Sequence, residues 1–407
     1  MTLIMTEKSP LKICLVSANK RCHSNSIISS RLFNYLAANG HSIVENAGEA
    51  DLLIVNTCGS MEITHEFSKG LFKEALKDRK PGARVVCAGC LGLIAPELFM
   101  AEFGDVIIIK DNSELDALIG AAVPYNSLKE AFYDESLYPK VGRDPVFFAR
   151  LLARAAGAFF GGREGGGKGH FSQKVAAVCH TGKLHVQIGS GCAGNCSFCV
   201  IKLAKGAPVS RPAGDIIRDI KKIYRKDYAV HLVGDDCGSY GLDSGGDLFG
   251  LVSAISGEIP GVPLDIRYVN PVWLEKFPAE YLKMFKENRI NSVNICMQSG
   301  SDRIISLMNR KYRAAAILEF VDELKKVSPR TLIRSHFIKG FPTETWGDFR
   351  DTLRAAGHFH FHNSYVYSAI RGARSYGMRD DVPFPVKALR RALLQAHNAW
   401  SFFTSGK

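Results

Sequence analysis

Gly191-Cys192-Ala193-Gly194-Asn195-Cys196-Ser197-Phe198-Cys199 carries three cysteines in a C-x3-C-x2-C spacing, directly after the strand-like run Lys183–Ile188. Thiolates are the ordinary ligands of iron–sulfur clusters, and a fully closed cubane needs four of them. Three thiolates on one glycine-rich turn leave one iron open, the vacancy a catalytic metal keeps for its substrate. A zinc knuckle competes as a reading. Zinc sites, however, pair C-x2-C units or set histidines at fixed spacing, and no second pair follows here. The stretch therefore predicts an open cubane cluster held at the carboxyl end of a strand.

Around it, the block from Lys183 to Arg391 repeats strand then helix. Strands are expected at Leu184–Gly189, Val230–Gly234, Leu264–Val269, Val293–Gln298, Leu332–Ile338 and Tyr365–Ile370. Amphipathic helices are expected between them at Ala213–Lys226, Ala279–Asn288, Ala314–Lys326 and Trp346–Ala356. Such units make a partial (β/α)6 barrel, too few for a closed eightfold one, and barrel sites sit at the strand carboxyl ends. Three further strand ends point to that mouth: Gly234-Asp235-Asp236, Gln298-Ser299-Gly300-Ser301 and Gly340-Phe341-Pro342-Thr343-Glu344. Each also serves as a plain turn or helix cap; Ser301-Asp302 is a good helix start.

Upstream, residues 1–125 form a second α/β block. Strands are expected at Lys12–Ser17, Asp51–Thr57, Arg84–Ala88 and Asp105–Ile109, with helices at Ser26–Asn39 and Glu62–Lys80. Near-continuous apolar strands alternating with helices imply a doubly wound parallel sheet covered on both faces. Cys22, Cys58 and Cys90 each fall just past a strand end, where open parallel sheets bind their ligands. Distant in sequence, they are expected to converge as a second three-thiolate set. The competing reading makes each a small buried hydrophobe, and that reading is applied to Cys14 and Cys87 inside strands. Cys179, Cys237 and Cys296 are also expected to be non-ligands.

Residues 126–182 change character. Phe147–Phe160 reads as an apolar helix, expected to pack at the domain boundary rather than on a membrane. Gly161–Gly169 is too rich in glycine for a regular element and reads as a flexible linker; it lacks the Gly-Lys-Ser/Thr of a phosphate loop. Residues 392–407 form a carboxy-terminal tail.

Composition narrows the setting. The 407 residues allow two or three domains, and 46% hydrophobic with 23% charged residues is ordinary for a globular protein. No run approaches the ~20 apolar residues of a membrane span, and Met1–Pro10 lacks a signal-peptide layout. Eleven cysteines at metal-like spacings fit a reducing cytosol, so a cytoplasmic protein without membrane contact is expected. A net charge of +12 suits a polyanion such as RNA, although the basic residues are spread evenly enough to be a solvated surface.

The chain resembles the radical S-adenosylmethionine (SAM) methylthiotransferases, which modify tRNA adenosines and a ribosomal-protein aspartate. The marks are Cys22 in Arg-Cys-His-Ser-Asn, Val55-Asn56-Thr57-Cys58, Ala88-Gly89-Cys90-Leu91, the Cys192 loop and Ser210-Arg211-Pro212. Leu232–Gly241, Gln298–Asp302 with Leu307–Tyr312, and Gly340–Thr345 complete them. The resemblance implies two 4Fe-4S clusters. Cys22, Cys58 and Cys90 would hold the auxiliary one, and Cys192, Cys196 and Cys199 the radical-generating one. It places Phe198 near the adenine, Gly234, Asp235 and Asp236 at the methionine amino group, and Ser299 with the Ile338–Gly340 backbone at the ribose and adenine. It implies two SAM molecules, one a methyl donor to sulfur on the auxiliary cluster and one the source of a 5′-deoxyadenosyl radical that abstracts a substrate hydrogen. A flavodoxin- or ferredoxin-type reductant is expected, and a monomer.

Departures from the family qualify the substrate. Members usually end in a small TRAM β-barrel, whereas Lys407 follows closely on the helix-like Val386–Trp400. Lys202 stands where proline is common and Asp235 where glutamine is common. On that basis tRNA, a peptide or protein, and a small molecule all stand as substrates, with one small enough to sit in a cleft favoured. Two alternatives to methylthiolation remain: a radical SAM enzyme forming a thioether without methyl transfer, and a non-catalytic iron–sulfur electron carrier or redox sensor.

Overall fold

The computed structural model describes residues 9–17, 22–134, 137, 183–226 and 228–404. The helix expected at Phe147–Phe160, the glycine-rich run after it and Cys179 lie outside the described residues. The chain divides into two units. Met1–Gly142 with Val200–Gly206 and Ile370–Gly372 form the first, and the remainder forms the second.

In the first unit, β1 (Lys12–Ser17), β2 (Ser42–Ile43), β3 (Leu52–Thr57), β4 (Arg84–Gly89) and β5 (Val106–Ile108) make a sheet in the order β2-β1-β3-β4-β5. Its neighbouring strands pair in parallel. Alternation splits the strands between two cores. Leu53, Val55, Val85 and Cys87 pack with Phe72, Phe99 and Phe103, while Leu52, Ile54, Val86 and Ala88 pack with Leu32, Tyr35 and Leu36. The helices Glu62–Asp78 and His23–Ala38 supply those opposing faces, so the sheet is doubly wound. A short β6 (Phe132–Tyr133) lies against the second helix, where Ser30 Oγ donates to Phe132 O at 2.6 Å. That helix begins at His23, three residues before the expected Ser26, because Ser26 N already donates to Cys22 O at 3.0 Å. Cys22 thereby becomes its N-cap residue.

The second unit opens with β7 (Lys183–Gln187) and an antiparallel pair, β8 (Gly189–Ser190) and β9 (Val209–Ser210). Then come β10 (Ala229–Val233), β11 (Leu264–Val269), β12 (Ile290–Gln298), β13 (Leu332–Lys339) and β14 (Phe361–Val366). The parallel strands run β7-β10-β11-β12-β13-β14, in sequence order, with helices between them. This is the partial (β/α)6 barrel of the sequence reading. Local chemistry sets its helix starts: Thr345 and Asp348 form a reciprocal capping box on Trp346–Ala356. One strand moved. The apolar run Tyr365–Ile370 suggested the last strand, but it spans Phe361–Val366. The polar His362 and Asn363 hid it: Asn363 faces a polar lumen, and His362 on the other face meets His397 of the closing helix, 3.4 Å away. The closing helix, Phe384–Thr404, packs on β13 and β14.

Candidate active site

The cysteine loop leaves β7 through Gly191, whose φ of 80° lies in the left-handed region and whose N–H donates to Asp235 Oδ2 at 2.9 Å. Gly194 sits among the sulfurs. A Cβ there would lie 3.3 Å from Cys192 Sγ and 3.8 Å from Cys196 Sγ, and its own N–H donates to Cys192 Sγ at 3.3 Å. The turn is stitched to the segment after the helix Asp302–Leu307: Ser197 N donates to Met308 O at 2.9 Å, its Oγ to Leu307 O at 2.9 Å, and Asn309 Nδ2 to Asn195 O at 2.6 Å. Arg374 also donates to Asn195 O.

Arg310 is the residue that sequence reasoning passed over. Buried to 8% exposure, it donates through Nη1 to Cys196 Sγ at 3.3 Å and through Nη2 to Asn270 Oδ1 and Cys296 O, both at 2.8 Å. Its signal in the sequence is the run Leu307–Tyr312, a mark of the family resemblance that by itself assigns Arg310 no partner. Burial, then the Asp236 charge and the neighbouring sulfurs, push the Cys192 thiol up to about 12. Clustered thiols of this kind stay protonated unless a cation compensates them, and a metal does so outright. The donor set thus fits a thiolate-bound iron cluster, with a guanidinium hydrogen-bonded to one sulfur in support.

The expected cosubstrate contacts fall in three places. Phe198 and Ile338 pack against one apolar cluster of Ile304, Met308, Phe341 and Tyr367. Gly234, Asp235 and Asp236 line a small cavity with Gly191, Ser190 and Tyr240. Asp236 accepts from Trp273 Nε1 at 2.8 Å, Asn270 N at 3.1 Å and Gly238 N at 3.2 Å, while burial raises its pKa. Ser299 is fully buried, its Oγ 3.2 Å from Thr352 Oγ1 and accepting from Ser301 N at 3.1 Å. Gly340 holds a φ of 71°, and a Cβ there would meet Lys387 Cγ at 2.5 Å. Its N–H donates to Glu344 Oε2 at 2.7 Å, which also accepts from Arg390 Nη1 at 2.6 Å. That buried ion pair ties the Gly340 turn to the closing helix, a link no local sequence signal announced.

In the first unit, Cys22, Cys58 and Cys90 follow β1, β3 and β4, three adjacent strands. A Cys22–Cys58 hydrogen bond, followed by burial, pushes the Cys22 thiol well up, against the lowering influence of the Lys205 ammonium. Cys58 N donates to Ser68 Oγ at 3.2 Å, and Cys90 N to Thr57 O at 3.2 Å. Gly89, at φ 81°, makes the last turn possible, since a Cβ there would meet Thr57 O at 2.4 Å. The structure thus joins the Cys22 and Cys58 thiols directly and sets Cys90 at the neighbouring strand end. Cys14 and Cys87 are buried within β1 and β4, and burial pushes Cys87 up to about 12. Cys237 is buried and donates to Leu232 O at 3.5 Å. Cys296 is half-buried, its carbonyl taken by Arg310.

A partial parallel barrel with a three-cysteine loop after its first strand defines a radical SAM enzyme. Residues 186–356 match the Radical SAM superfamily, and residues 19–109 match the family described as Uncharacterized protein family UPF0004. The tRNA-2-methylthio-N(6)-dimethylallyladenosine synthase of Aeromonas salmonicida is 29% identical over 92% of this chain and 74% of its own length. The synthase of the same name from Shewanella oneidensis is 29% identical over 92% and 75%. Among solved structures, the fold matches the radical SAM methyltransferase TsrM of Kitasatospora setae, with TM-score 0.57 and 14% identity over 89% of this chain and 75% of that one. Along most of its length the chain is thus similar to radical SAM methylthiotransferases, with a Radical SAM match over its barrel. Enzymes of the superfamily work with a 4Fe-4S cluster and SAM. Among the described residues, no helix is long and apolar enough to cross a membrane.

Proposed function

We propose that this chain inserts a methylthio group into an unactivated C–H bond of a tRNA nucleoside, using two 4Fe-4S clusters and two SAM molecules. The observation that carries the reading is the pair of three-cysteine sets, each at the carboxyl ends of parallel strands in its own unit. Cys192, Cys196 and Cys199 would hold one cluster, and Cys22, Cys58 and Cys90 the other. When bound, the clusters supply the electron that cleaves SAM and a site for the sulfur that is transferred.

The chain's own residues bind and orient. Asp235 anchors the entry of the cysteine loop through Gly191, and Asn309 and Ser197 fix its far side. Arg310 donates to Cys196 Sγ, placing positive charge beside the thiolates; such outer hydrogen bonds tune a cluster's potential. Phe198 and Ile338 offer an apolar seat for the adenine, and Glu344 orients the Gly340 peptide at its edge. Asp236, dry and held by three donors, braces the Asn270 turn toward which Arg310 reaches. Together these contacts pre-position the reacting groups, where a small displacement is costly in rate.

The sequence favoured a small substrate. The names of the two relatives given above, both synthases of a methylthiolated tRNA adenosine, support the tRNA reading instead. The test is anaerobic incubation of the reconstituted protein with dithionite, SAM and tRNA. Methylthiolation releases both 5′-deoxyadenosine and S-adenosylhomocysteine and leaves a methylthionucleoside in digested tRNA. 5′-Deoxyadenosine alone would indicate thioether formation without methyl transfer, and neither product an electron carrier. Both products with unmodified tRNA would return the substrate to a peptide or small molecule.

A further inference from the structure

The face of the barrel sheet turned to the lumen is polar along its middle. Period-two alternation puts Asp265 and Arg267 of β11, Ser292 and Asn294 of β12, Arg334 and His336 of β13, and Asn363 of β14 on that side. The contacts agree. Arg334 Nη2 donates to Ser292 Oγ at 3.1 Å, and Asn294 Nδ2 and Asn363 Nδ2 lie 2.8 and 3.3 Å from His336 Nε2. None of these groups takes part in holding the cysteine loop or the Gly340 turn.

Their charges do not balance. Arg267 and Arg334 are 2% and 3% exposed, and each raises the electrostatic cost of buried cations nearby. Burial, then Arg267, bring Arg334 down to about 9. Among the described residues the carboxylate of this layer is Asp265, which His231 Nε2 engages at 2.6 Å and whose charge also favours the Arg334 guanidinium, so one carboxylate faces two guanidiniums. His336 stays neutral, held down to about 3 by burial and the two guanidiniums. Arg267 Nε and Nη1 have no hydrogen-bond partner. A buried guanidinium with idle donors is costly, and a fold that keeps one calls for an anion to complete it.

The backbone beside it is strained as well. Tyr268 and Gln298 hold φ of 60° and 70° without being glycine, where the pairings of β11 with β12 and β12 with β13 shift register. Bulges of this kind re-aim side chains beside functional sites. Here they leave Tyr268 and Tyr365 on either side of His336, with ring centroids 5.7 and 5.4 Å from it.

We propose that the barrel lumen takes an oxyanion of the substrate, a carboxylate or a phosphate, between Arg267 and Arg334, with Tyr268, His336 and Tyr365 walling the group that carries it. The proposal rests on the methylthiotransferase reading for the word substrate, and it adds the substrate's chemical class. The relatives' names specify an apolar dimethylallyl group; this lumen calls for an acidic one.

The experiment uses the anaerobically reconstituted full chain. Thermal unfolding is followed against phosphate or acetate at constant ionic strength in chloride, for the unaltered protein, Arg267→Met and Arg334→Met. SAM affinity is measured in parallel. The unaltered protein should show saturable stabilisation by one anion: phosphate marks a phosphoryl group, acetate a carboxylate. Either substitution should weaken that response at least about tenfold, as loss of a charge-assisted fork does. Arg267→Met should melt no lower than the unaltered protein in chloride, because it removes a buried guanidinium with two idle nitrogens. SAM affinity should hold. An unchanged anion response in both variants would overturn the proposal. So would loss of SAM affinity, which would assign the pair to the cosubstrate, or collapse of Arg267→Met while Arg334→Met keeps the full response. Anion binding that meets these expectations beside unmodified tRNA would sink the tRNA reading and leave the subsite standing.

Discussion

The two cysteine triads reach a similar end by opposite routes. In the second unit the three thiols lie within one eight-residue loop, Cys192–Cys199, and neighbouring turns only have to hold it still. In the first unit they are separated by tens of residues, and they share one end of the sheet only because β1, β3 and β4 are adjacent strands. A loop can present ligands from local backbone geometry alone, whereas strand ends present them only after the whole sheet has formed. The loop triad should therefore tolerate damage to its surroundings, while the strand-end triad should track the integrity of its sheet.

The largest effect expected is on the chemistry. Replacing Cys192, Cys196 and Cys199 with alanine should lower iron from about eight to about four per chain and abolish 5′-deoxyadenosine formation. Cys58→Ala should do the converse, losing about four irons while keeping SAM cleavage. Loss of SAM cleavage in Cys58→Ala, or no iron left in the triple variant, would break the division of labour between the triads.

A step down, Arg390→Met tests how the closing helix supports the barrel site. It leaves Glu344 buried and uncompensated, which should cost about 3–5 kcal/mol in urea unfolding. It should also weaken SAM binding without loss of iron, because the Gly340 turn loses its brace. Iron loss equal to that of the triple cysteine variant would show that the loop depends on the rest of the barrel after all.

Smaller again is a pH effect confined to the second unit. Burial holds His336 and His362 neutral, down to about 3 and about 4. The unfolded chain takes up those protons near pH 6.5, so stability should fall as pH drops from there toward 4 and be regained above it. His362→Gln should flatten that slope. Lys339, fully buried with no hydrogen-bond partner on Nζ, is brought down to about 7 by burial and Arg391. Its depressed value makes the protein gain stability as pH rises from about 7 toward 10, and Lys339→Met should raise the melting temperature at pH 7.

The smallest change is Cys87→Ala. It should cost only about 1 kcal/mol, as loss of a small buried group, and leave iron content intact. Cluster loss there but not in Cys90→Ala would mean that the strand-end triad was misread by three residues.

Much of this was legible in the residues because it is local. The C-x3-C-x2-C loop, the apolar runs of β1, β3 and β4, and the capping pair Thr345 and Asp348 declare themselves within a few positions. The last strand was misplaced because its pattern was not local: Asn363 faces a polar lumen that His336 and Asn294 create from other strands. Arg310 was visible but mute, since only the fold brings its guanidinium to Cys196.

The sequence by itself determined the alternating elements, the loop triad and the class of chemistry, because ligand spacing and hydrophobic period are properties of neighbours along the chain. Tertiary structure alone decided which strands lie side by side, and so that Cys22 and Cys58 share a hydrogen bond. It also decided that Arg390 reaches Glu344 and that Arg267 and Arg334 lie buried in one lumen. The reason is physical. The cost of a buried charge and the worth of its partner depend on distances between segments, and no segment encodes those alone.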